Sequence, residues 1–270
     1  MRTSQIDIRT NVRVASIDRE NKTVQTEAGD TIEYDQLLLA TGSRPRILDV
    51  PGTDLEGIYY LRTIVDVDNI RTALEQAGSA VIVGGGYIGL EVAAVAKTLG
   101  VEVSVLEMED RILQRVTTPE MSKFYNELHT GRGVTILTNT TVSGFEGDGR
   151  VRQVVCGDGR KIDADIVIVG IGVIRNVELA RDAGLDVDNG IMVNDHCRTT
   201  DPDIYAAGDC TNHPNPILGR RLRLESVPNA MEQARVAAQN MLGGDKVYEA
   251  IPWFWSDQYE LKLQMVGILC

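Results

Sequence analysis

The chain has 270 residues, a formal net charge of −12, 43% hydrophobic and 24% charged residues. That length exceeds the ~150 residues of a typical domain and points to two domains of ordinary globular composition. So acidic a chain argues against nucleic acid as a bulk partner, and the sequence shows neither a run of ~18 apolar residues nor a charged-then-apolar leader, so no membrane span or secretory signal is expected.

Ile6, Ile8, Val12 and Val14 alternate with polar residues, as in a half-buried strand. Residues 23–26 and 31–34 flank Ala28-Gly29-Asp30 in a hairpin pattern. Residues 36–40 read as a buried strand running into the small-residue loop Thr41-Gly42-Ser43, and Pro51-Gly52 reads as a turn crossing to the next domain. Residues 66–77 form a helix with Asp66 or Asp68 as N-cap and Ala77-Gly78 as stop.

Residues 80–107 carry the most information. An apolar run from Ala80 to Val83 leads at once into Gly84-Gly85-Gly86-Tyr87-Ile88-Gly89. A helical pattern opens at Leu90, and a second β-type run over 101–106 ends at Glu107. Gly84 allows a tight turn, Gly86 lets the backbone approach a pyrophosphate, and Gly89 lets the helix pack close on the sheet. The helix N-terminus then offers N–H groups and partial positive charge to phosphates. Glu107 stands 107 − 84 = 23 positions after the first glycine, near the ~20 expected of an acid that accepts the ribose hydroxyls. A carboxylate there favours NAD, while Arg111 and Arg115 just beyond it leave NADP open.

Thr118-Pro119 starts a further helix whose apolar face includes Met121, Phe124 and Leu128. Residues 134–137 are a strand, 142–155 and 161–162 a meander, and 166–169 a buried strand ending at Gly170-Ile171-Gly172. A short helix over 179–183, a strand at 191–193 and a strand over 203–207 lead into Gly208-Asp209. A helix over about 229–242 presents Ala230, Ala234, Ala237 and Ala238 as its packed face. The alternating run 261–266 reads as a strand. The loops at Ala40-Thr41-Gly42 and Ala207-Gly208-Asp209 are alike: both put small residues at the carboxyl end of an apolar strand, where open α/β sheets hold ligands. One precedes the nucleotide unit and one follows it, so a second ligand domain is interrupted by the first. Cys156, Cys197, Cys210 and Cys270 show no C-x-x-C or metal spacing, and His129, His196 and His213 are equally dispersed. The reading is reduced thiols, no metal site, and surface or loop histidines.

These residues resemble the FAD-dependent NADH:ferredoxin reductases of the putidaredoxin and rhodocoxin reductase type, within the pyridine nucleotide-disulfide oxidoreductase superfamily. Residues 34–46 are similar to the family's ATG motif, Tyr60-Leu61-Arg62-Thr63 to its crossover, and 200–209 to its second FAD motif. Glu225-Ser226-Val227-Pro228-Asn229 resembles the segment facing the flavin, and 252–258 the start of the interface domain. The resemblance implies FAD contacts at Val14, Ala40, Thr41, Gly42, Arg62, Gly208, Asp209, Glu225, Ser226, Val227 and Trp255. It implies NAD contacts at Gly84, Gly85, Gly86, Tyr87, Ile88, Gly89, Glu91, Glu107, Arg115, Gly170, Ile171 and Gly172. Glu91 and Trp255 would lie near the nicotinamide and flavin, with no side chain needed as acid or base.

The fold class implied is α/β: Rossmann-like domains with a central parallel sheet and a β-meander, the NAD domain inserted in an incomplete FAD domain. The expected boundaries are 1–62 and 176–250 for the FAD domain, 63–175 for the NAD domain, and 251–270 for the start of an interface domain. The family's N-terminal FAD fingerprint and most of its interface domain are missing from this sequence, so truncation at both ends is expected. Arg175 also stands where the family usually has proline. The implied function passes electrons from NADH through FAD to a small iron–sulfur protein, a ferredoxin or rubredoxin, in the cytoplasm. The alternative is an NAD-binding fragment without turnover. The arginines Arg220, Arg221, Arg223 and Arg235 would attract an acidic ferredoxin.

Overall fold

Five parallel strands organise one half of the chain. Across the sheet they run Ile58–Tyr60, Ile166–Val169, Ser79–Val83, Glu102–Leu106 and Thr135–Leu137, every neighbouring pair parallel. The structure, a computed structural model, describes residues 6–268. Within them the chain separates into two compact units, one of Arg44–Ile174 with the described residues from Trp253 on, the other of the described residues up to Ser43 with Arg175–Pro252.

In the first of these units the sheet is covered on both faces, which is why its central strands read as unbroken apolar runs. Ala80, Ile82 and Ile168 pack with helices α1 (Ile64–Leu74), α2 (Tyr87–Thr98) and α3 (Pro119–Gly131) through Leu74, Leu90, Ala93 and Tyr125. Val81, Val83, Val167 and Val169 face the other way, onto Phe145, Val151 and Val154. Those three belong to the antiparallel meander Val142–Asp148, Arg150–Cys156 and Lys161–Asp163. Each such buried Val or Ile contributes about 1.5–3 kcal/mol relative to exposure. A hairpin of Trp253–Gln258 and Leu261–Val266 completes the unit. Its Phe254 meets the Tyr87 ring edge-on at 4.6 Å.

Two helices depart from the sequence reading. α1 begins at Ile64 with Thr63 as N-cap. Asp66 sits three residues on and closes a capping box, accepting from the Thr63 N–H at 2.6 Å, so it is not itself the cap. On α3 the buried residues are Ser122, Tyr125 and His129, whereas Phe124 is 46% exposed. The expected Met121 and Leu128 pack against the core as partly buried residues, and Ser122 and His129 are buried beside them because each finds a partner: the Ser122 hydroxyl donates to the Ile112 carbonyl at 2.6 Å.

The other unit holds an antiparallel sheet of Val14–Asp18, Thr23–Thr26 and Thr31–Glu33. A parallel pair, Leu37–Leu39 with Ile204–Ala206, lies at its centre. A third sheet joins Ile191–Met192, Thr211–Asn215 and Arg220–Leu222. Its last two strands carry Asn, His, Pro and Arg and give no periodic signal. Ile17, Leu39, Ala180, Ile191, Ile204 and Ala206 share one core, with α4 (Glu178–Asp182) packed into it. Ile6, Ile8 and Val12 are not in a strand; they are 72%, 77% and 44% exposed. Helix α5 (Val227–Met241) buries Asn229, Gln233 and Asn240 with Val236 and Ala237, while Ala238 is exposed. The alanine-face expectation holds at Ala237 and, against Gly208, at Ala230 but fails at Ala238. Amides share the buried face because they bond backbone and loop groups: Asn240 donates to the His196 and Lys246 carbonyls and accepts from the Lys246 N–H.

The histidines are also not all at the surface. His129 and His213 are buried, and only His196 sits in a loop, between Asp195 and Asp245 at 2.7 and 2.8 Å. Cys156, Cys197 and Cys210 are buried free thiols; Cys270 lies outside the described residues. His213 stacks edge-on against Tyr248 at 5.1 Å with neither ring nitrogen hydrogen-bonded. Burial, helped by Arg221, lowers its pKa to about 4. A depressed folded pKa means the unfolded chain binds the proton first as pH falls. The contribution is therefore intact above pH ~6.5 and lost progressively on acidification to about 4, for a total of about 3 kcal/mol. His213→Phe should flatten that part of the urea-unfolding stability profile, and an unchanged profile would remove His213 as its cause.

Candidate functional site

The glycine turn after Ser79–Val83 is built by exclusion of side chains. Gly84 has φ +111°, a region L residues avoid, and a Cβ there would meet the Gly170 carbonyl oxygen at 2.4 Å. A Cβ on Gly89 would meet the Gly84 carbonyl oxygen at 2.0 Å. These two glycines let α2 and the ends of two strands converge. Gly86 is different: a Cβ there would meet nothing within 4 Å, so its missing side chain serves space that the protein does not fill. Gly86 is also the N-cap of α2 and supplies no side-chain cap, which leaves the first-turn N–H groups directed at that space.

Glu107 is fixed to the same corner. One carboxylate oxygen accepts from the Gly85 N–H at 2.7 Å and the other from the Glu109 N–H at 2.9 Å. A carboxylate offers about four acceptor sites, so both oxygens keep capacity for hydroxyl donors. Gly170 completes the wall beside Gly84, donating its N–H to the Val83 carbonyl at 2.8 Å, with part-buried Ile171 and exposed Gly172 continuing it. Ile88 is 46% exposed. The Tyr87 side chain turns away to donate to the Met265 sulfur at 3.1 Å, and burial raises its hydroxyl pKa. Arg111 is committed to its own loop, donating to the Thr117 and Gln114 carbonyls at 3.1 and 3.0 Å and to Ser122. Arg115 is the exposed arginine of that loop. Glu91, on the next turn of α2 after Tyr87, is half-buried; burial raises its carboxyl pKa against the opposing Ser256 hydroxyl and Asp257 N–H.

In the other unit the two similar loops lie side by side, because the strands leading into them pair in parallel register. The Ala207 N–H donates to the Leu39 carbonyl at 3.0 Å. Ser43 reaches across, its hydroxyl donating to Asp209 at 3.0 Å. Thr41 donates to the Asn176 carbonyl at 2.6 Å, and the Asn176 amide returns a bond to the Thr41 carbonyl at 2.8 Å. Gly208, at φ +85°, is held by Gln233, whose side-chain oxygen accepts from the Gly208 N–H at 2.8 Å and the Thr211 hydroxyl at 2.9 Å. Ala40, Thr41, Gly42, Gly208 and Asp209 are thus brought together. Ser43, Asn176 and Gln233 are additions that the sequence reading missed. Gln233 alone carried a signal, as a polar residue on an otherwise alanine-rich face.

The remaining expected residues are placed as follows. Val14 begins the first strand of this unit. Ser226 is the N-cap of α5, Val227 after it is 56% exposed, and Glu225 pairs with Arg223. Arg62 and Trp255 belong to the unit of the parallel sheet; Trp255 is 41% exposed beside Trp253 at 5.6 Å. Of the four arginines, Arg220, Arg221 and Arg235 are exposed and Arg223 is part-buried. Arg221 donates to the Asn212 side chain at 3.1 Å and to the Val193 and Asn212 carbonyls, and Arg223 is tied to Glu225. Among the described residues no group of His, Cys, Asp and Glu could hold a metal, and no helix is long and apolar enough to cross a membrane.

A glycine corner with an acid on its N–H, in a doubly covered parallel sheet, is the arrangement of a dinucleotide-binding domain. The family described as pyridine nucleotide-disulphide oxidoreductase matches residues 1–234. The chain belongs to that family. A second family, reductase C-terminal, matches residues 253–269. Putidaredoxin reductase of Pseudomonas putida is 47% identical over 262 residues, covering 95% of this chain and 62% of that protein. A rubredoxin-NAD(+) reductase of Pseudomonas putida is 40% identical over 267 residues, covering 98% and 69%. Among solved structures, a ferredoxin reductase from Rhodopseudomonas palustris superposes with TM-score 0.93 at 43% identity, covering 95% of this chain and 64% of that one. A covalent putidaredoxin reductase–putidaredoxin complex gives 0.92 at 47%, covering 95% and 63%. The chain spans 60–65% of the length of the first curated relatives it matches. Membership agrees with the resemblance and with the α/β class.

The convergence at Gly89 makes a direct test. Gly89→Ala forces a Cβ into a backbone oxygen that cannot yield as a flexible side chain would, which costs about 1–3 kcal/mol or more. A lower urea midpoint is expected; an unchanged one would mean α2 does not depend on this contact.

Proposed function

We propose that this chain carries the nucleotide-binding units of an FAD-dependent NADH:ferredoxin or NADH:rubredoxin oxidoreductase. The observation that carries the reading is the Glu107 carboxylate seated on the Gly85 N–H beside an uncapped helix N-terminus. In this reading the first-turn N–H groups of α2 hold the NAD(H) diphosphate and Glu107 accepts from the adenosine ribose. Arg115 approaches the phosphate or ribose, and Gly170, Ile171 and Gly172 line the nucleotide. Glu91 approaches the nicotinamide. Glu107 repels a 2′-phosphate, which favours NADH over NADPH.

The loops at 40–42 and 208–209 suit the polyol and ring edge of a flavin nucleotide. Asp209 accepts from the Ser43 hydroxyl, and Gly208 keeps its backbone bare of a side chain. Val14, Arg62, Glu225, Ser226, Val227 and Trp255 are assigned to the same cofactor. A bound flavin supplies the conversion of a two-electron donor into single-electron transfers, which no side chain here can do. The domain assignment at 62, 175 and 250 and a cytoplasmic location belong to the same proposal. So does an acidic iron–sulfur partner drawn by Arg220, Arg221, Arg223 and Arg235. Support for the partner class comes from relatives named as putidaredoxin and rubredoxin reductases.

Calorimetry with NADH tests the nucleotide half. Glu107→Ala should weaken binding about 10- to 100-fold, the loss expected when a charged hydrogen-bond acceptor is removed. The wild-type chain should bind NADH tighter than NADPH; equal affinities would reject the role of Glu107. Flavin uptake after reconstitution, read in the visible spectrum, should fall in Asp209→Ala. NADH binding without any flavin uptake would reduce the reading to a nucleotide-binding module.

A further inference from the structure

Glu91 is the last member of a line of side chains that crosses the parallel-sheet unit. The Ser256 hydroxyl lies 2.6 Å from a Glu91 carboxyl oxygen. Gln258 Nε2 lies 3.1 Å from the Ser256 hydroxyl, and Gln258 Oε1 lies 2.8 Å from His129 Nε2. The Tyr259 hydroxyl lies 3.2 Å from His129 Nδ1. Ser256, Gln258 and His129 are each 0% exposed. The strand period places Ser256 and Gln258 inward while Trp253, Trp255 and Asp257 point out. His129 comes from the last turn of α3, and Tyr259 from the hairpin turn at φ +56°.

Each of these groups has a limited set of protons, so one end dictates the other. An ionised Glu91 can only accept. Ser256 must then spend its single proton on Glu91 and accept from Gln258. That turns the Gln258 amide nitrogen toward Ser256 and its oxygen toward His129. His129 must donate from Nε2, leaving Nδ1 to accept from Tyr259. Every donor points toward Glu91, and bonds in such a line strengthen one another. When Glu91 takes a proton from solvent it can donate to Ser256, and the whole line can run the other way. Ser256 then donates to the turned amide oxygen and Gln258 donates to Nε2. His129 gives its Nε2 proton to solvent and takes one on Nδ1 in a local opening, then donates to the Tyr259 oxygen, whose own proton turns to solvent. One proton is gained in total, on Glu91.

We propose that Glu91, Ser256, Gln258, His129 and Tyr259 form one reversible hydrogen-bond chain whose direction follows the charge on Glu91, making His129 a positioning residue for that carboxyl. The charged groups around it are few. Asp257 disfavours the Glu91 carboxylate through its charge and assists it through its N–H. At the far end Arg132 stands over the Tyr259 ring at 4.3 Å and pairs with Glu260. Burial and Arg132 hold His129 neutral, which the chain requires, since an imidazolium would donate at both ends. Only the consequence for ligand binding rests on the nucleotide reading above.

The test follows the nitrogen-15 shifts of His129 in the 270-residue chain, assigned by comparison with His129→Gln. The Nε2–H tautomer is expected at neutral pH, with Nδ1–H growing as Glu91 protonates. Ser256→Ala should make the tautomer independent of pH, and Glu91→Gln should do the same without removing a buried group. A His129 tautomer that ignores pH in the wild type, or still follows it in both variants, would overturn the proposal. A second arm uses NADH affinity at pH ~6. Ser256→Ala should lower it about tenfold. His129→Leu should lower it about two- to threefold, and His129→Gln, which keeps an N–H at the Nε2 position, should restore it. If NADH does not bind the wild type while the tautomer switches as expected, the nucleotide reading fails and the chain stands. If NADH binds and no switch occurs, the chain fails alone.

Discussion

The structure around the parallel sheet depends on a place where no side chain fits. The Gly84 carbonyl lies against Gly89 and the Gly170 carbonyl against Gly84, so a helix and two strand ends approach to backbone contact. This close approach aims α2 at the edge of the sheet and puts Gly85 within 2.7 Å of Glu107. The ligand space is therefore a by-product of packing. The same absence of Cβ atoms that buries Leu90 and Ala93 against Ile82 also brings a helix terminus to bare solvent at Gly86. Stability and the proposed binding share one set of residues here, and a side chain at Gly89 would disturb both through the same displacement.

The other unit solves its problem with polar atoms. Its two loops meet because Leu37–Leu39 and Ile204–Ala206 are paired, but strand pairing does not fix what lies beyond the strand ends. A buried amide does. Gln233 Oε1 accepts from both Gly208 and Thr211, which sets the turn that carries Asp209, while Ser43 holds the Asp209 carboxylate itself. A buried amide without partners would cost about 1–3 kcal/mol. Loops arrive to meet Asn229 and Asn240 on α5, while Gln233 is met at its oxygen and its Nε2 is left without a partner.

This contrast explains what could be read from the sequence. The glycine corner was legible in the turn at Gly84 and the close packing at Gly89, because backbone contact, φ and spacing are encoded in a few consecutive residues. Four of the five parallel strands and the meander were legible from apolar runs and Gly-Asp-Gly turns, whereas the edge strand Ile58–Tyr60 was not read. The strands Thr211–Asn215 and Arg220–Leu222 were not, because their pairing is set by neighbours and their side chains carry no alternation. The burial of His129 and His213 was missed for a similar reason: an aromatic ring with a remote partner leaves no local trace. Ser43 and Asn176 were invisible as site residues because their partners lie 166 and 135 positions away in sequence.

The acidity of the chain sharpens the role assigned to the corner. A net charge of −12 sets a field that opposes a dinucleotide diphosphate at long range, and Arg111, which could have countered it, is spent on its own loop. The attraction must then be local. A helix N-terminus acts within about its first turn, and a field from distant surface carboxylates is screened beyond roughly 8–10 Å in physiological salt. At the corner the N–H groups of α2 act at contact while most of the surface charge acts through solvent. A site of this kind selects by geometry: an anion gains only if its oxygens reach the uncapped N–H groups while its sugar reaches Glu107. Two opposed charges at fixed spacing, one partial and positive on the helix and one full and negative on the strand, exclude a simple anion and fit a molecule that is anionic at one point and hydroxylated a few ångströms away.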